Sequence, residues 1–506
     1  MSQQGIDPTF VELPFRALSE AALGRARELG VTHADFRFER VRYQYLGVRD
    51  GALQGATDAE DLGFAVRVIH RGAWGFASGV ILTSDEARRV AEAAVAVAEV
   101  ASAMTTTPVE IAPEPVYDDV TWVSAYDLDP LAVPTAEKAD VLIGWTDRLT
   151  SHGAVEHASA SLYQVLENKF YADLAGTRTT QQRVRLQPTF EAMGSDRVTG
   201  VFDSMTSIAP PVGRGWEYLT DGGWDWDAEL DEVPELLAAK LAAPSVAAGT
   251  YDLVVHPSNL WLTIHESIGH ATELDRALGY EANYAGTSFA TYDKLGSLVY
   301  GSPVMNVTGD RTVEHGLATV GYDDEGVATQ AWDIVKDGIL VGYQLDRSMG
   351  HQKPELNDGW SNGCAYADSP GHIPIQRMAN VSLQPAADGP TTEDLIGQVD
   401  RGLYVVGDKS WSIDMQRFNF QFTGQRFYRI EDGQLAGQVR DAAYQATTTE
   451  FWGSMEAVGG PQTWQLHGAF NCGKAQPGQT AAVSHGCPTA LFRDVRILNT
   501  NDEAGH

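Results

Sequence analysis

Apolar positions recur at three- and four-residue steps between residues 14 and 29, through Phe15, Leu18, Ala22, Ala26 and Leu29, and stop at Gly30. That spacing predicts an amphipathic helix with a glycine just past its end. From Ala34 to Gly79 the period falls to two, in DFRFERVRYQYLGV, GFAVRVIH and GAWGFASG, with RDGALQG and RG as turn signals. These runs read as an antiparallel meander. A second helix follows in LTSDEARRVAEAAVAVAEVASA, with Thr83 or Ser84 as cap, acids in the first turn and an Ala/Val face suited to packing on the sheet. A third begins near Thr135, after which ASASLYQVLENKFYADL returns to alternation.

A helical AELDEVPELLAAKLAA leads into the small-residue stretch AAPSVAAG, which we take as a domain boundary near residue 245. Beyond it run short β-type segments such as YDLVVH, AWDIVKDGILVGYQLD, RGLYVVG and RFYRIEDGQLAGQV, separated by Gly/Asp turns. Such spacing points to a sandwich or a barrel. GPTTEDLIGQVDRG holds one short helix. The expected fold class is therefore α+β: an N-terminal antiparallel sheet with packed helices over residues 1–245, and a β-rich domain over 246–506.

One long helix interrupts the β-rich half, in WLTIHESIGHATELDRALGY, residues 261–280. Ser258 or Asn259 can cap it after Pro257, and Trp261, Ile264, Ile268, Ala271, Leu274 and Leu278 form its apolar stripe before Gly279. His265, Glu266, His270 and Glu273 lie off that stripe. On a regular helix His265 and His270 stand about 140° and about 7.5 Å apart, so they can share a metal ion only through a π-type turn or a loosening near Gly269. The plainer alternative is a polar helix face with histidines bonded to neighbouring strands. Two imidazoles need a third protein ligand for a zinc site. Candidates are Glu273, one turn on, or Cys472 in FNCGKAQPGQ, read as a turn-prone loop where Lys474 favours the thiolate. Two imidazoles and a thiolate suit Zn2+ better than Mg2+ or Ca2+. Cys364 and Cys487 read as ordinary free thiols.

Composition narrows the partners. Lys and Arg number 36 against 68 Asp and Glu, a formal charge of -32 that repels phosphate backbones and anionic lipid. Nucleic acid and membrane are not expected. Three cysteines are too few for a disulfide framework, and neither a signal peptide nor an 18-residue apolar run occurs, so a cytoplasmic location is expected. GVRDGALQG lacks a P-loop ending and reads as a turn; Ser484, His485 and Cys487 lack an orienting acid for nucleophilic catalysis. Trp411, Phe418, Phe420, Phe422, Phe427 and Tyr428 read as core and interface.

HESIGHATELD, the Gly-Thr-Ser at 286–288, YDDEG, DGILVGYQLD, RMANVSLQP, EDLIGQVDRGLYV and NCGK followed by a Pro-Thr run resemble, in that order, the TldD-type peptidases of the TldD/PmbA family. GFAVRVIHRGAWGFASG is similar to the family's amino-terminal meander, so the likeness covers residues 15 to 498. It implies a zinc metallopeptidase with a barrel-like C-terminal domain. His265, His270 and Cys472 match its metal ligands and Glu266 its catalytic glutamate, while Glu273 and Asp275 suit orientation of the histidines. It also implies peptide substrates, unstructured or ribosomally made precursors, and a TldE/PmbA-like partner subunit that lacks the metal motif. Two stretches depart from the pattern: Ala475, Gln476 and Pro477 lengthen the turn after Cys472, and SHGCPT replaces the usual Gly-Gln-Pro-Thr. His485 and Cys487 are then spare ligands or local substitutions, with Cys487 the second choice as third ligand. The rival readings are a non-catalytic peptide-binding or scaffold subunit and an amide hydrolase for small molecules.

Overall fold

The computed structural model describes residues 5–220 and 222–503. Its first half is built on a seven-stranded sheet of β1 (His33–Arg49), β2 (Ala52–His70), β3 (Ala73–Gly79), β4 (Val120–Val123), β5 (His157–Asp173), β6 (Arg178–Ser195) and β7 (Phe202–Thr206). The order is β3-β2-β1-β5-β6-β4, with β7 added on β6. The meander is present, and its first turn is a tight one: Asp50 and Gly51 take φ of 49° and 75°, as a type I′ hairpin requires. RDGALQG is thus mostly strand. Residues 52–61 are largely exposed and carry no core signal, yet they pair with Val41–Arg49 of β1.

Alternation along these strands separates two faces. Phe36, Phe38, Leu46 and Val48 of β1, with Leu162, Leu166, Phe170 and Ala172 of β5, pack under helices Phe15–Glu28, Ser84–Ser102, Thr135–Thr150 and Trp226–Leu241. Thr83 is the cap of the second, accepting from the Glu86 amide. The opposite face looks like a solvated one in sequence but is buried. Arg67 reaches Asp35 and Glu325, both at 2.8 Å, and Lys169 reaches Asp324 at 2.7 Å. The acidic turn at 323–325 of the second half therefore neutralises a row of basic strand residues.

In that second half five strands form a closed barrel. Strand β8 (Gly249–Val255) lies between Arg401–Ile413 and Ala490–Asn499; Ala442–Thr447 and Asn419–Glu431 continue the ring, and the last pairs back onto Arg401–Ile413. Only the β8 pairing with Arg401–Ile413 is parallel. The expected short helix is Thr392–Ile396, closed by a capping box between Thr391 and Asp394. A separate hairpin, Gln465–Lys474 with Gln479–Cys487, lies against the N-terminal sheet through Phe470 and Ala482, which pack on Val165. Among the described residues no helix is long and apolar enough to cross a membrane.

Candidate metal centre

Strand β8 runs directly into the helix Pro257–Ile264. Proline sits at its first position, where no amide hydrogen is missed. The cap is His256, whose Nδ1 accepts from the Ser258 amide at 3.2 Å; Ser258 and Asn259, expected as caps, lie inside the helix. They anchor it instead. Ser258 Oγ accepts from the Gly407 amide at 2.8 Å, and Asn259 Nδ2 donates to the carbonyls of Gly407 and Thr423 at 2.9 and 3.0 Å. Tyr444 Oη, 2.9 Å from Asn259 Oδ1, meets Thr263 Oγ1 at 2.7 Å. All eight helical residues are buried, so the polar positions face protein rather than solvent.

At His265 the backbone widens. Residues His265–Gly269 form a π turn closed by the His270 amide donating to the His265 carbonyl, which brings positions five apart into line. The two imidazole centroids are 4.7 Å apart. Carbonyls in this stretch find side-chain partners: Ser267 O accepts from Tyr300 Oη at 2.5 Å, Ile268 O from Thr272 Oγ1 at 2.8 Å and Gly269 O from Gln344 Nε2 at 2.7 Å. At Gly269 the constraint is close packing rather than backbone freedom. Its φ of -53° is ordinary, but a Cβ there would stand 2.5 Å from Met378 Sδ. One tight turn later Glu273 is extended, so the helix ends earlier than its stripe suggests.

Cys472 arrives on a strand, not in a loop, beside a bulge between Ala469 and Cys472. The insertion at Ala475, Gln476 and Pro477 falls in the hairpin turn beyond it. One nitrogen each of His265 and His270 and the Cys472 sulfur lie within 4.8 Å of one another, with Sγ 3.5 Å from His270 Nε2. Among the described residues this is the one cluster of its kind.

Charges around the cluster differ from expectation in one respect. Burial raises the Cys472 thiol, but His270 and Arg377 outweigh it and bring it below its ordinary value. Lys474 does not supply that field: its Nζ is 2.8 Å from Asp275 and 3.3 Å from Glu273. Burial pushes His265 down, favouring the neutral imidazole. Burial would also raise Glu266, yet His265, His270 and the paired Arg417 guanidinium hold it below the usual carboxylate range.

Glu273 lies behind the cluster, with Oε2 3.0 Å from His270 Nδ1 and 3.3 Å from Arg276 Nε, so it is not a third ligand in this arrangement. Asp275 touches neither histidine and braces Lys474. Cys487 is turned away, with Sγ 3.7 Å from the Pro257 carbonyl, and Cys364 is buried outside the cluster with its thiol pushed up to about 12. His485 stands outside the cluster but 2.8 Å from His265 Nδ1.

His265, Glu266, His270 and Cys472 line a cavity of about 620 Å3, whose walls include Thr189 and Thr206 from the N-terminal sheet and Trp411 and Arg417 from the barrel. A larger cavity of about 790 Å3, lined by residues between Ser412 and Arg496, contains none of the four. Phe420, Phe422 and Phe427 are core as expected, but Trp411 is 54% exposed beside the first cavity. The sequence reading missed Arg417, Arg377, Met378 and Gln344. Arg417 has a faint signal, a lone cation in the alternating run WSIDMQRFNFQF.

Two imidazoles, one thiol and an adjacent carboxylate converging in a cavity are the donor set of a metal-dependent hydrolase. Residues 248–499 match the family model of the PmbA/TldA metallopeptidase C-terminal domain, and residues 34–98 that of PmbA/TldA metallopeptidase domain 1. A metalloprotease of Methanothermobacter thermautotrophicus is 26% identical over 477 residues, covering 93% of this chain and 96% of its own. A protein of Saccharolobus solfataricus named zinc metalloprotease TldD homolog is 22% identical over 485 residues, covering 94% and 98%. In fold, the chain is similar to TldE from Thermococcus kodakarensis, with a TM-score of 0.70, 16% identity and coverage of 95% and 99%. A Thermotoga maritima protein described as a putative modulator of a DNA gyrase gives 0.74, 16% identity and coverage of 96% and 100%. The chain belongs to the TldD/PmbA family of metallopeptidases.

Proposed function

We propose that this chain is a zinc-dependent peptidase that hydrolyses peptide bonds of unstructured peptides or ribosomally made precursors. It acts as the metal-bearing subunit of a TldD/TldE-like pair, in the cytoplasm, where its three buried free thiols stay reduced. The observation that carries the reading is the convergence of His265, His270 and Cys472 donor atoms within 4.8 Å, with Glu266 lining the same cavity.

The residues fit zinc. His270 Nδ1 is engaged by Glu273, so Nε2, on the Cys472 side, is the free donor. Three protein donors beside a cavity leave room for a water or substrate oxygen. Bound there, zinc supplies Lewis acidity and lowers the pKa of a water toward neutrality. Glu266, ionised at neutral pH, takes a proton from the attacking water and returns it to the departing amine. Arg417 holds that carboxylate in place at the cavity wall. Walls contributed by both halves of the chain enclose an extended peptide better than a folded surface.

The test is Glu266→Gln, purified with and without a TldE-type subunit and assayed on an unstructured peptide. Zinc content should stay at the wild-type level, with cleavage reduced by about 10²-fold or more. Wild-type protein without zinc would favour the scaffold reading instead.

A further inference from the structure

The hairpin that delivers Cys472 carries a second group that this chemistry leaves unused. Cys472 pairs with Ala481 across the hairpin, and Ala481, Val483 and His485 alternate onto one face, so thiol and imidazole project to the same side. His485 is fully buried. Its Nδ1 lies 2.8 Å from the Val381 carbonyl and its Nε2 lies 2.8 Å from His265 Nδ1.

These contacts determine where the hydrogens are. A carbonyl oxygen only accepts, so His485 carries its hydrogen on Nδ1 and, as a neutral ring, presents a lone pair at Nε2. His265 must then donate from Nδ1. Its own Nε2 is left bare, the nitrogen a metal takes. Trp261 fixes the relay sterically: its ring stacks on His485 at 6.2 Å and 15°, while its indole Nε1 donates to Asp408 at 3.1 Å.

We propose that His485 is a positioning residue that fixes the tautomer and ring orientation of His265 through a Val381–His485–His265 hydrogen-bond relay. This rests on the metal-site reading above. Each imidazole of the site then has its own support, a carboxylate (Glu273) behind His270 and a neutral imidazole behind His265. A carboxylate raises ligand basicity, so the two nitrogens are unequal donors, with His270 the stronger.

The experiment compares wild type with His485→Gln and His485→Leu. A glutamine amide can accept from His265 and donate to Val381, whereas leucine fills space without doing either. Zinc affinity, read by competition with a chromophoric chelator, should fall by about 10–100-fold in His485→Leu and stay near wild type in His485→Gln. In the metal-free protein, 15N spectra of labelled histidines should show His265 protonated on Nδ1 in wild type and His485→Gln, and that preference should be lost in His485→Leu. Unchanged affinity and tautomer in a folded His485→Leu overturns the relay, as does a glutamine variant as impaired as the leucine one. Wild type that binds no zinc overturns the proposed function instead, and the metal-free spectra still decide the relay.

Discussion

Gly269 offers a direct way to perturb the π turn without touching a candidate ligand. Its backbone is ordinary right-handed helix, φ -53° and ψ -59°, so alanine there brings no backbone strain and, from propensity alone, would gain up to about 1 kcal/mol. Against this stands Met378, whose Sδ and Cε would lie 2.5 and 2.9 Å from the new Cβ. Both atoms must retreat by about 1 Å in a filled core, and overpacking of that kind costs about 1–3 kcal/mol. Even with the flexible end of Met378 giving way, the clash offsets the propensity gain, so Gly269→Ala should lose up to about 2 kcal/mol in urea unfolding followed by tryptophan fluorescence. It should also weaken zinc binding, because the segment displaced lies between His265 and His270. Met378→Ala alone should cost about 2–5 kcal/mol through its cavity. In the double variant the alanine methyl partly refills that cavity, giving a favourable coupling of about 1 kcal/mol or more. A Gly269→Ala protein more stable than wild type, or costs that add within about 0.5 kcal/mol, would refute the close-contact argument.

Glu273→Ala strips Arg276 and Lys474 of a buried counterion and His270 of its acceptor, and should cost about 3–5 kcal/mol in denaturant with a parallel loss of zinc affinity in chelator competition. Asp35 tests the buried ion pair with Arg67 on the N-terminal sheet, the same guanidinium that reaches Glu325 of the second half. Burial would raise its carboxyl, but Arg67 and His33 hold it down to about 2, below its unfolded value near 3.9. Its contribution, about 2–3 kcal/mol, is therefore present above pH 4 and is lost as pH falls toward 2. Thermal melts should show the stability gap between wild type and Asp35→Asn closing over that window, and a gap independent of pH would count against the pairing.

What could be read from sequence was what has a period or a spacing. The helices at 15–28 and 84–102 and the inward residues of the first strands follow from apolar repeats. The five-residue separation of His265 and His270 asks for a widened turn, which the backbone takes at His265–Gly269. Three-dimensional closure was the part that could not be read. Residues 52–61 are strand because β1 pairs with them, although no hydrophobic pattern marks them. The basic face of the first sheet alternates like a solvated one, and its burial depends on acids at 323–325. Lys474 is two residues from Cys472 in sequence but spends its charge on Asp275 and Glu273, while Arg377, 95 residues from Cys472, donates to that residue's carbonyl. Gly269 marks a point of loosening in the sequence, but its close neighbour Met378 is invisible from a local window.

Cobalt substitution examines the central claim most directly, since a thiolate bound to Co2+ gives a charge-transfer band in the near ultraviolet that imidazoles alone do not. Purified protein titrated with Co2+ should saturate at one ion per chain and show that band, and Cys472→Ser should lose it while Cys487→Ser and Cys364→Ser keep it. Wild type that takes up no stoichiometric ion, or a band that survives in Cys472→Ser, would contradict the assignment of His265, His270 and Cys472 to a single metal.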